Sequence, residues 1–171
     1  MVGLKFTSAT ASDAVEIAAL RTCAGAALAK KYGPGHWAGL ATDRGVIRDL
    51  KASQLLVARC RGKIVGTLTL ATKKPWAIDV SYFTPCQKAL YLINMAVLPT
   101  RQRKGVGRAL LAEARKMAEA YAADAIRLDA YDAPAGAGGF YRRSGYRKCG
   151  KKTYRGVRLV YFELLVRQNK A

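Results

Sequence analysis

Apolar and polar residues alternate along the chain with two periods, which predict strands and helices in turn. Ile126, Leu128 and Ala130 alternate with Arg127 and Asp129, a period of two that is typical of a strand. The same analysis predicts strands at about 3–7, 55–58, 64–70, 90–97, 126–131, 146–151 and 157–166. Helices are predicted at about 14–31, 37–50 and 106–121, with a short one near 140. The order βααββ, βα, βα, ββ predicts a mixed α/β sheet.

The length and composition are those of one globular domain. The chain has 171 residues, of which 51% are apolar, so we expect a single domain over residues 1–171 with a sizeable core. No apolar run reaches the roughly 18 residues that a membrane span needs. The segment Met1–Lys5 lacks the basic head and apolar core of a signal peptide. Together these features predict a cytoplasmic protein with no membrane partner.

The cysteines do not form a pattern of their own. They stand at positions 23, 60, 86 and 149 without a CxxC pair, and His36 is the only histidine. We therefore expect free thiols in a reducing compartment and no metal site. Cations flank Cys149 and would lower the pKa of its thiol. A nucleophilic cysteine usually needs a base partner, and His36 is the only histidine that could serve.

The net charge is the unusual feature of the composition. The chain carries 30 Lys and Arg against 11 Asp and Glu, a formal charge of +19. Such a chain attracts polyanions such as nucleic acid or a phosphorylated cofactor. The segment Arg142–Arg158 holds eight basic residues and no acidic one, which fits either an acidic partner or a generally basic surface.

A basic glycine turn between a strand and a helix is the sharpest chemical signal. The strand that ends before Pro99 is followed by Arg101–Arg108, in which Gly105 and Gly107 precede or open the next helix. Free N–H groups at a helix N-terminus bind anions, and glycines allow a ligand to approach the backbone. The turn is not a P-loop, because the sequence GxxxxG-Lys-Ser/Thr is absent. It is not a dinucleotide fingerprint, because Leu110 stands where the third glycine should be. The turn therefore predicts a phosphate or pyrophosphate site.

The pattern Gln102-x-x-Gly105-x-Gly107 resembles the coenzyme A motif of the GNAT superfamily of N-acetyltransferases. Three further segments resemble the same family in the same order: the fourth strand at 92–97, the fifth at 128–130, and the Ala-x-x-Phe-Tyr-x-x-x-Gly-Phe segment at 137–146. The resemblance implies a single acetyltransferase domain with a mixed, mostly antiparallel sheet flanked by helices. It also implies that the fourth and fifth strands splay apart to admit acetyl-CoA.

The resemblance further implies which residues hold the cofactor. Backbone groups of Met95, Ala96 and Val97 would bind the pantetheine arm, and the Val97 N–H would polarise the thioester carbonyl. The pyrophosphate would lie against the glycine turn. The residues implied there are Gln102, Arg103, Lys104, Gly105, Val106, Gly107 and Arg108.

Two side chains are candidates for proton transfer. Tyr141 matches the family's general acid and would protonate the leaving thiolate, although it could instead be a packed aromatic residue. Asp129 is the candidate base for the acceptor amine, and its alternative is a carboxylate paired with a nearby cation. Asn94 cannot act as a base but could orient a water molecule.

The resemblance implies an acetyl-CoA-dependent transfer of acetyl to a primary amine by direct attack in a ternary complex, and we expect no metal. The acceptor is not identified by the sequence and could be anionic or RNA-associated. The alternatives are acetylation of an aminoacyl-tRNA or ribosome-bound amine, and a non-catalytic nucleic-acid-binding module on the same fold. A homodimer is compatible with the family.

Overall fold

The computed structural model describes residues 3–166. Its chain forms two compact units. The first contains the residues up to Ala71 together with Ile93–Ala114, and the second contains Thr72–Leu92 together with the residues from Arg115 onward. The expectation of one domain over residues 1–171 stays a prediction, and its two ends lie outside the described residues. No helix within the described part is long and apolar enough to cross a membrane.

The helices and strands follow the predicted order. The strands are β1 Leu4–Ser8, β2 Ser53–Cys60, β3 Lys63–Ala71, β4 Ala89–Val97, β5 Ala125–Tyr131, β6 Arg147–Tyr154 and β7 Val157–Leu165. The helices are α1 Ala14–Tyr32, α2 Asp43–Ala52, α3 Val106–Ala120 and α4 Gly138–Arg143. Short 3₁₀ segments lie at Ala11–Asp13, His36–Ala38, Val80–Tyr82 and Pro99–Arg101.

The strands form a seven-stranded sheet in the order β1-β2-β3-β4-β5-β7-β6. Antiparallel pairing joins β1 to β2, β2 to β3, β5 to β7 and β6 to β7. The pairing of β4 with β5 is parallel and covers Ala89–Tyr91 against Ala125–Arg127. This short parallel register ends well before either strand does. The predicted mixed, mostly antiparallel sheet is confirmed.

In the first unit, α1 and α2 pack on the sheet through a core that includes Ile17, Leu20, Val46, Val57 and Ile64. The prediction of one helix over 37–50 was wrong at its start. α2 begins at Asp43, where the Thr42 hydroxyl accepts from the Gly45 N–H at 3.1 Å and so caps the helix. The residues before it form only one 3₁₀ turn.

In the second unit, the long connection between β3 and β4 covers β5 and β7. Ile78 and Phe83 from this connection are buried with Tyr91, Leu159 and Tyr161. Phe83 is therefore a core residue. Trp76, in contrast, is 83% exposed, and the Tyr82 ring lies where a side chain on residue 150 would be, which explains the glycine there.

A buried ion pair holds the strands of the second unit in register. Glu163 on β7 lies opposite Arg127 of β5 on one side and Arg147 of β6 on the other. Its carboxylate accepts from Arg127 Nε at 3.2 Å, from Arg147 at 3.0 Å and from the Thr84 hydroxyl at 2.7 Å. The side chains of Arg127 and Glu163 are 6% and 0% exposed. Removing one partner of such a pair would leave a buried charge uncompensated.

We expect Glu163→Ala to lower the free energy of unfolding by about 3–5 kcal/mol, because Arg127 would lose its buried counter-charge. Urea denaturation measures this change. The matched control is Glu119→Ala, which breaks an exposed i,i+4 pair whose side chains are 53% and 48% accessible. The free energy of unfolding of Glu119→Ala should fall by no more than about 0.5 kcal/mol. Equal losses in the two variants would contradict the role given to the buried pair.

Candidate active site

The glycine turn contains two residues in the left-handed region of backbone conformation. Between the 3₁₀ segment at Pro99–Arg101 and α3, Gly105 has φ +84°, in the left-handed region that favours glycine. Arg103 also has positive φ, at 58°. The chain therefore turns tightly before α3, whose first N–H groups have no partner within the helix.

Packing in the first unit fixes where this helix begins. Val106 is buried at the start of α3, and a Cβ on Gly66 of β3 would lie 2.8 Å from the Leu110 side chain and 3.1 Å from that of Val106. The glycine thus lets the helix N-terminus approach the strand. Arg103, Lys104 and Arg108 remain exposed around it. The arrangement can bind an anion of more than one charge.

Gln102 has a role that the sequence did not reveal. Its side-chain amide donates to the Val97 carbonyl at 3.1 Å, which ties the turn to the end of β4. The Leu98 N–H beside it donates to the Val65 carbonyl at 2.9 Å. Gln102 therefore stabilises the turn by a hydrogen bond from its side chain to the backbone of β4.

The predicted pantetheine segment, Met95–Val97, follows a break in the extended backbone of β4. Asn94 has φ +52°, the left-handed region, which asparagine tolerates better than most residues. Its amide donates to the Asp49 carboxylate of α2 at 2.9 Å. The predictions did not include Asp49, and no local motif surrounds it.

Asp129 lies on β5 in the second unit, opposite Tyr161 of β7. Burial raises the pKa of its carboxyl above the ordinary value. Among the described residues no cation forms a salt bridge with it, so the alternative of a paired carboxylate is not supported. A carboxyl with a raised pKa and no counter-charge is the type of group that serves as a general base.

Tyr141 lies on α4 and is only 7% exposed. Its ring packs against Phe140, Tyr146 and Phe162, with centroids 5.3–5.9 Å apart. Burial raises the pKa of its phenol well above the ordinary value, and the nearby charge of Asp129 raises it further. The second unit thus places the acid and base candidates in electrostatic contact, and the phenol keeps its proton at neutral pH.

The predicted site residues therefore form two groups. The first unit holds the backbone segment of β4 and the basic glycine turn, which Gln102 joins. The second unit holds Asp129 and Tyr141. No group of three or more His, Cys, Asp or Glu side chains within residues 3–166 is arranged to hold a metal ion.

The basic segment Arg142–Arg158 carries less free charge than its sequence indicates. Asp132 pairs with both Lys151 and Arg158, each at 2.9 Å. Lys152 pairs with Asp79 at 2.5 Å, and Arg147 with Glu163. Half of the eight cations in this segment thus have carboxylate partners within the second unit.

All four cysteines are free thiols. The expectation that neighbouring cations lower the pKa of Cys149 was wrong, because burial outweighs them and raises it. The thiol is therefore less reactive than an ordinary one, in keeping with an incidental residue.

Comparison with protein families identifies the chain. Residues 51–148 match the family model described as an acetyltransferase (GNAT) domain, which covers more than half of the sequence. No curated protein matches the sequence significantly. The matched region includes β4, the glycine turn, β5 and α4.

Solved structures share the fold at low sequence identity. The ribosomal-protein-S18-alanine N-acetyltransferase of Escherichia coli aligns with a TM-score of 0.71 at 16% identity, over 99% of each chain. The PaiA N-acetyltransferase of Thermoplasma acidophilum, in complex with coenzyme A, aligns with a TM-score of 0.73 at 12% identity, over 94% of this chain and 98% of that one.

YncA of Salmonella typhimurium, with its cofactor acetyl-CoA, aligns with a TM-score of 0.69 at 16% identity, over 98% of this chain and 96% of that one. Together with the matched family model, the glycine turn and the order of strands and helices, these likenesses lead to one conclusion: the chain belongs to the GNAT family and is an acetyltransferase.

Proposed function

We propose that this enzyme transfers the acetyl group of acetyl-CoA to a primary amine by direct attack in a ternary complex. The observation that carries the proposal is the glycine turn, in which Gly105 at φ +84° leads into the N-terminus of α3 beside three exposed cations. This turn fits a pyrophosphate. When bound, acetyl-CoA supplies an activated thioester, and the remaining chemistry depends on the chain's own groups.

The first unit would hold the cosubstrate. The N–H groups at the start of α3, including that of Gly107, would bind the pyrophosphate, and Arg103, Lys104 and Arg108 would neutralise its charge. Backbone groups of Met95–Val97 would bind the pantetheine arm. The Val97 N–H would stabilise negative charge on the carbonyl oxygen, a role worth about 2.7–4 kcal/mol where such a donor has been removed.

The second unit would handle the protons. An amine must lose its proton to become a nucleophile. Asp129, which pairs with no cation in the described part of the chain, would accept this proton directly or through water. Tyr141 keeps its phenol protonated because burial and the Asp129 charge raise its pKa. Its O–H can therefore donate to the sulfur as the thiolate leaves.

The acceptor is proposed only as a class. Two structural neighbours are ribosomal-protein-alanine N-acetyltransferases, from Brucella melitensis and Escherichia coli, which supports an amine on a protein N-terminus. The net charge of +19 supports an acceptor carried on an acidic partner such as RNA or a ribosomal particle. We further propose that the enzyme acts in the cytoplasm, where acetyl-CoA is available, and that a homodimer is compatible with this function.

Binding of acetyl-CoA is the first test. At a concentration of about 100 Kd the ligand should raise the free energy of unfolding by about 2.7 kcal/mol, seen as a higher melting temperature at roughly 0.3 M salt. Gly107→Glu should abolish the shift, because it places a carboxylate where the pyrophosphate binds. A normal shift in that variant would mean that the pyrophosphate lies elsewhere.

Heparin is the control for that measurement. An equal shift with heparin, and none specific to acetyl-CoA, would favour the non-catalytic nucleic-acid-binding module over the enzyme.

Tyr141→Phe should lower kcat by about 100-fold while leaving the KM for acetyl-CoA within about twofold, because the lost O–H acts only as the thiolate leaves. Steady-state kinetics with a thiol-release assay measure both constants. Tyr146→Phe is the matched control, since Tyr146 is a buried neighbouring phenol whose hydroxyl has no hydrogen-bond partner within the described residues. Equal losses in both variants would point to packing instead of proton donation.

Asp129→Asn should change how stability depends on pH. Because burial raises the pKa of Asp129 in the folded state above its ordinary value of 3.8, the folded chain binds this proton more tightly than the unfolded chain. The wild type therefore loses stability relative to the variant as pH rises from about 4 through the folded pKa. Urea unfolding of both proteins at pH 4 and pH 7 measures the difference.

Asp132→Asn is the control with the opposite sign. Hydrogen bonds from Lys151, and next those from Arg158, lower the pKa of Asp132, so the stability that this residue contributes is lost as pH falls. If the stability of the wild type relative to Asp129→Asn instead increased with pH, the raised pKa of Asp129 would be contradicted.

If Asp129 is the base, Asp129→Asn also removes the acidic limb of the pH profile of kcat/KM.

A further inference from the structure

One carboxylate oxygen in the first unit collects two donors from different elements. Asp49 Oδ2 on α2 accepts from Arg21 of α1 at 2.9 Å and from the Asn94 amide of β4 at 2.9 Å. Arg21 also donates to the hydroxyl of Thr69 on β3 at 3.2 Å, and Thr69 is fully buried. Four elements therefore meet at one polar cluster.

The cluster is largely shielded from water. The side chains of Arg21 and Asp49 are 11% and 23% exposed. The ion pair is thus stronger than one on an open surface, and its geometry is restricted on the helix side. Arg21 neutralises the Asp49 charge, which suits a fixed tether better than an anchor for a substrate ammonium.

Asn94 is the residue on which this tether acts. Its left-handed backbone, at φ +52°, interrupts a strand that is extended on both sides. A non-glycine residue in this region is strained and stays there only when its surroundings require it. The hydrogen bond to Asp49 is such a requirement, since the amide of Asn94 is otherwise exposed.

The tether fixes one end of the segment that follows. Met95–Val97 begins directly after Asn94, and at its other end the Val97 carbonyl accepts from Gln102 at 3.1 Å. The segment is thus held at both ends by side chains of the first unit. The directions of its N–H and C=O groups depend on the φ angle of Asn94, because rotation there turns every following peptide group.

We propose that Asp49 is a positioning residue that holds Asn94 in its left-handed conformation and so orients the Met95–Val97 backbone to bind the cosubstrate. The inference rests on the proposed function for what this backbone binds. The tether itself does not depend on the proposed function, because it consists of hydrogen bonds within the chain. Asp49 itself touches no reacting atom in this role.

The main variant is Asp49→Ala, which removes the acceptor of both donors. We expect the Kd for coenzyme A, by calorimetry, to rise about tenfold, which is the order expected when one or two backbone hydrogen bonds to the ligand are lost. The kcat at saturating acetyl-CoA should fall as well, because the same backbone carries the Val97 N–H that is proposed to stabilise the carbonyl oxygen. Asp49→Asn keeps one oxygen for the Asn94 amide and should restore most of the affinity.

The matched control is Asp13→Ala. Asp13 also pairs with an arginine of the first unit, Arg59 at 2.6 Å, but has no hydrogen bond to β4 among those of the described residues. Asp13→Ala should lower the free energy of unfolding without changing the Kd for coenzyme A by more than about twofold. An equal rise in Kd would show that general destabilisation, and not the tether, weakens binding, and would overturn the proposal.

Asn94→Gly tests whether Asp49 acts on the Met95–Val97 backbone through Asn94. Glycine permits positive φ without the amide, so in this background Asp49→Ala should change the Kd less than about twofold. An undiminished tenfold effect would mean that Asp49 acts by another route. If Asp49→Ala does not fold, Asn94→Gly alone decides: a raised Kd supports the tether and an unchanged Kd overturns it.

Amide hydrogen exchange without ligand separates this inference from the proposed function. In Asp49→Ala, the peptide 93–98 should exchange faster than in the wild type, and in Asp13→Ala it should not. If wild-type protein does not bind coenzyme A, the proposed function fails, and this measurement still decides the tether. Unchanged exchange in Asp49→Ala would overturn it.

Discussion

The backbone polar groups of a strand must find partners, and β5 satisfies those of β4 only over Ala89–Tyr91. Beyond this short parallel register, β4 continues for six residues and contains the left-handed Asn94. The strand thereby has a part that pairs with β5, in the second unit, and a redirected part that does not, in the first, while β3 is its neighbour on the other side. The segment proposed to bind the cosubstrate is the redirected part. Its conformation depends on side chains from α2 and from the glycine turn, and not on ladder pairing with β5.

In the second unit, the carboxylates of the buried Glu163 and the half-buried Asp129 have opposite surroundings. Glu163 has two arginines directly opposite it on neighbouring strands and a hydroxyl donor besides, so its charge is fully compensated. Asp129 forms no salt bridge among the described residues, and burial raises its pKa. The first carboxylate therefore stabilises the sheet. The second is left able to exchange a proton, which is why it, and not Glu163, is the proposed base.

The positive charge has more than one role in this enzyme. Part of it is used internally, since Asp132, Asp79 and Glu163 pair with cations of β6 and β7. Part surrounds the glycine turn, where the proposed pyrophosphate would be neutralised. The remaining surface charge supports an acidic acceptor or carrier without identifying it. Membership of the GNAT family is shown by the matched domain model. The chemical class of the acceptor is a proposal.

The sequence by itself determined the order of strands and helices, the glycine turn and the family, because each depends on local periodicity or on short contiguous motifs. It also proposed Asp129 and Tyr141 as site residues, because both lie in segments that resemble the family, and their roles stay predictions. It misjudged the start of α2, where the Thr42 cap ends a pattern that periodicity alone would extend. Only the tertiary structure decided that Gln102 binds its own backbone, that Asp129 forms no salt bridge within residues 3–166 and that Asp49 accepts a hydrogen bond from Asn94. The residues in these contacts are up to 45 positions apart, and no local pattern encodes which distant side chain meets a buried or strained group.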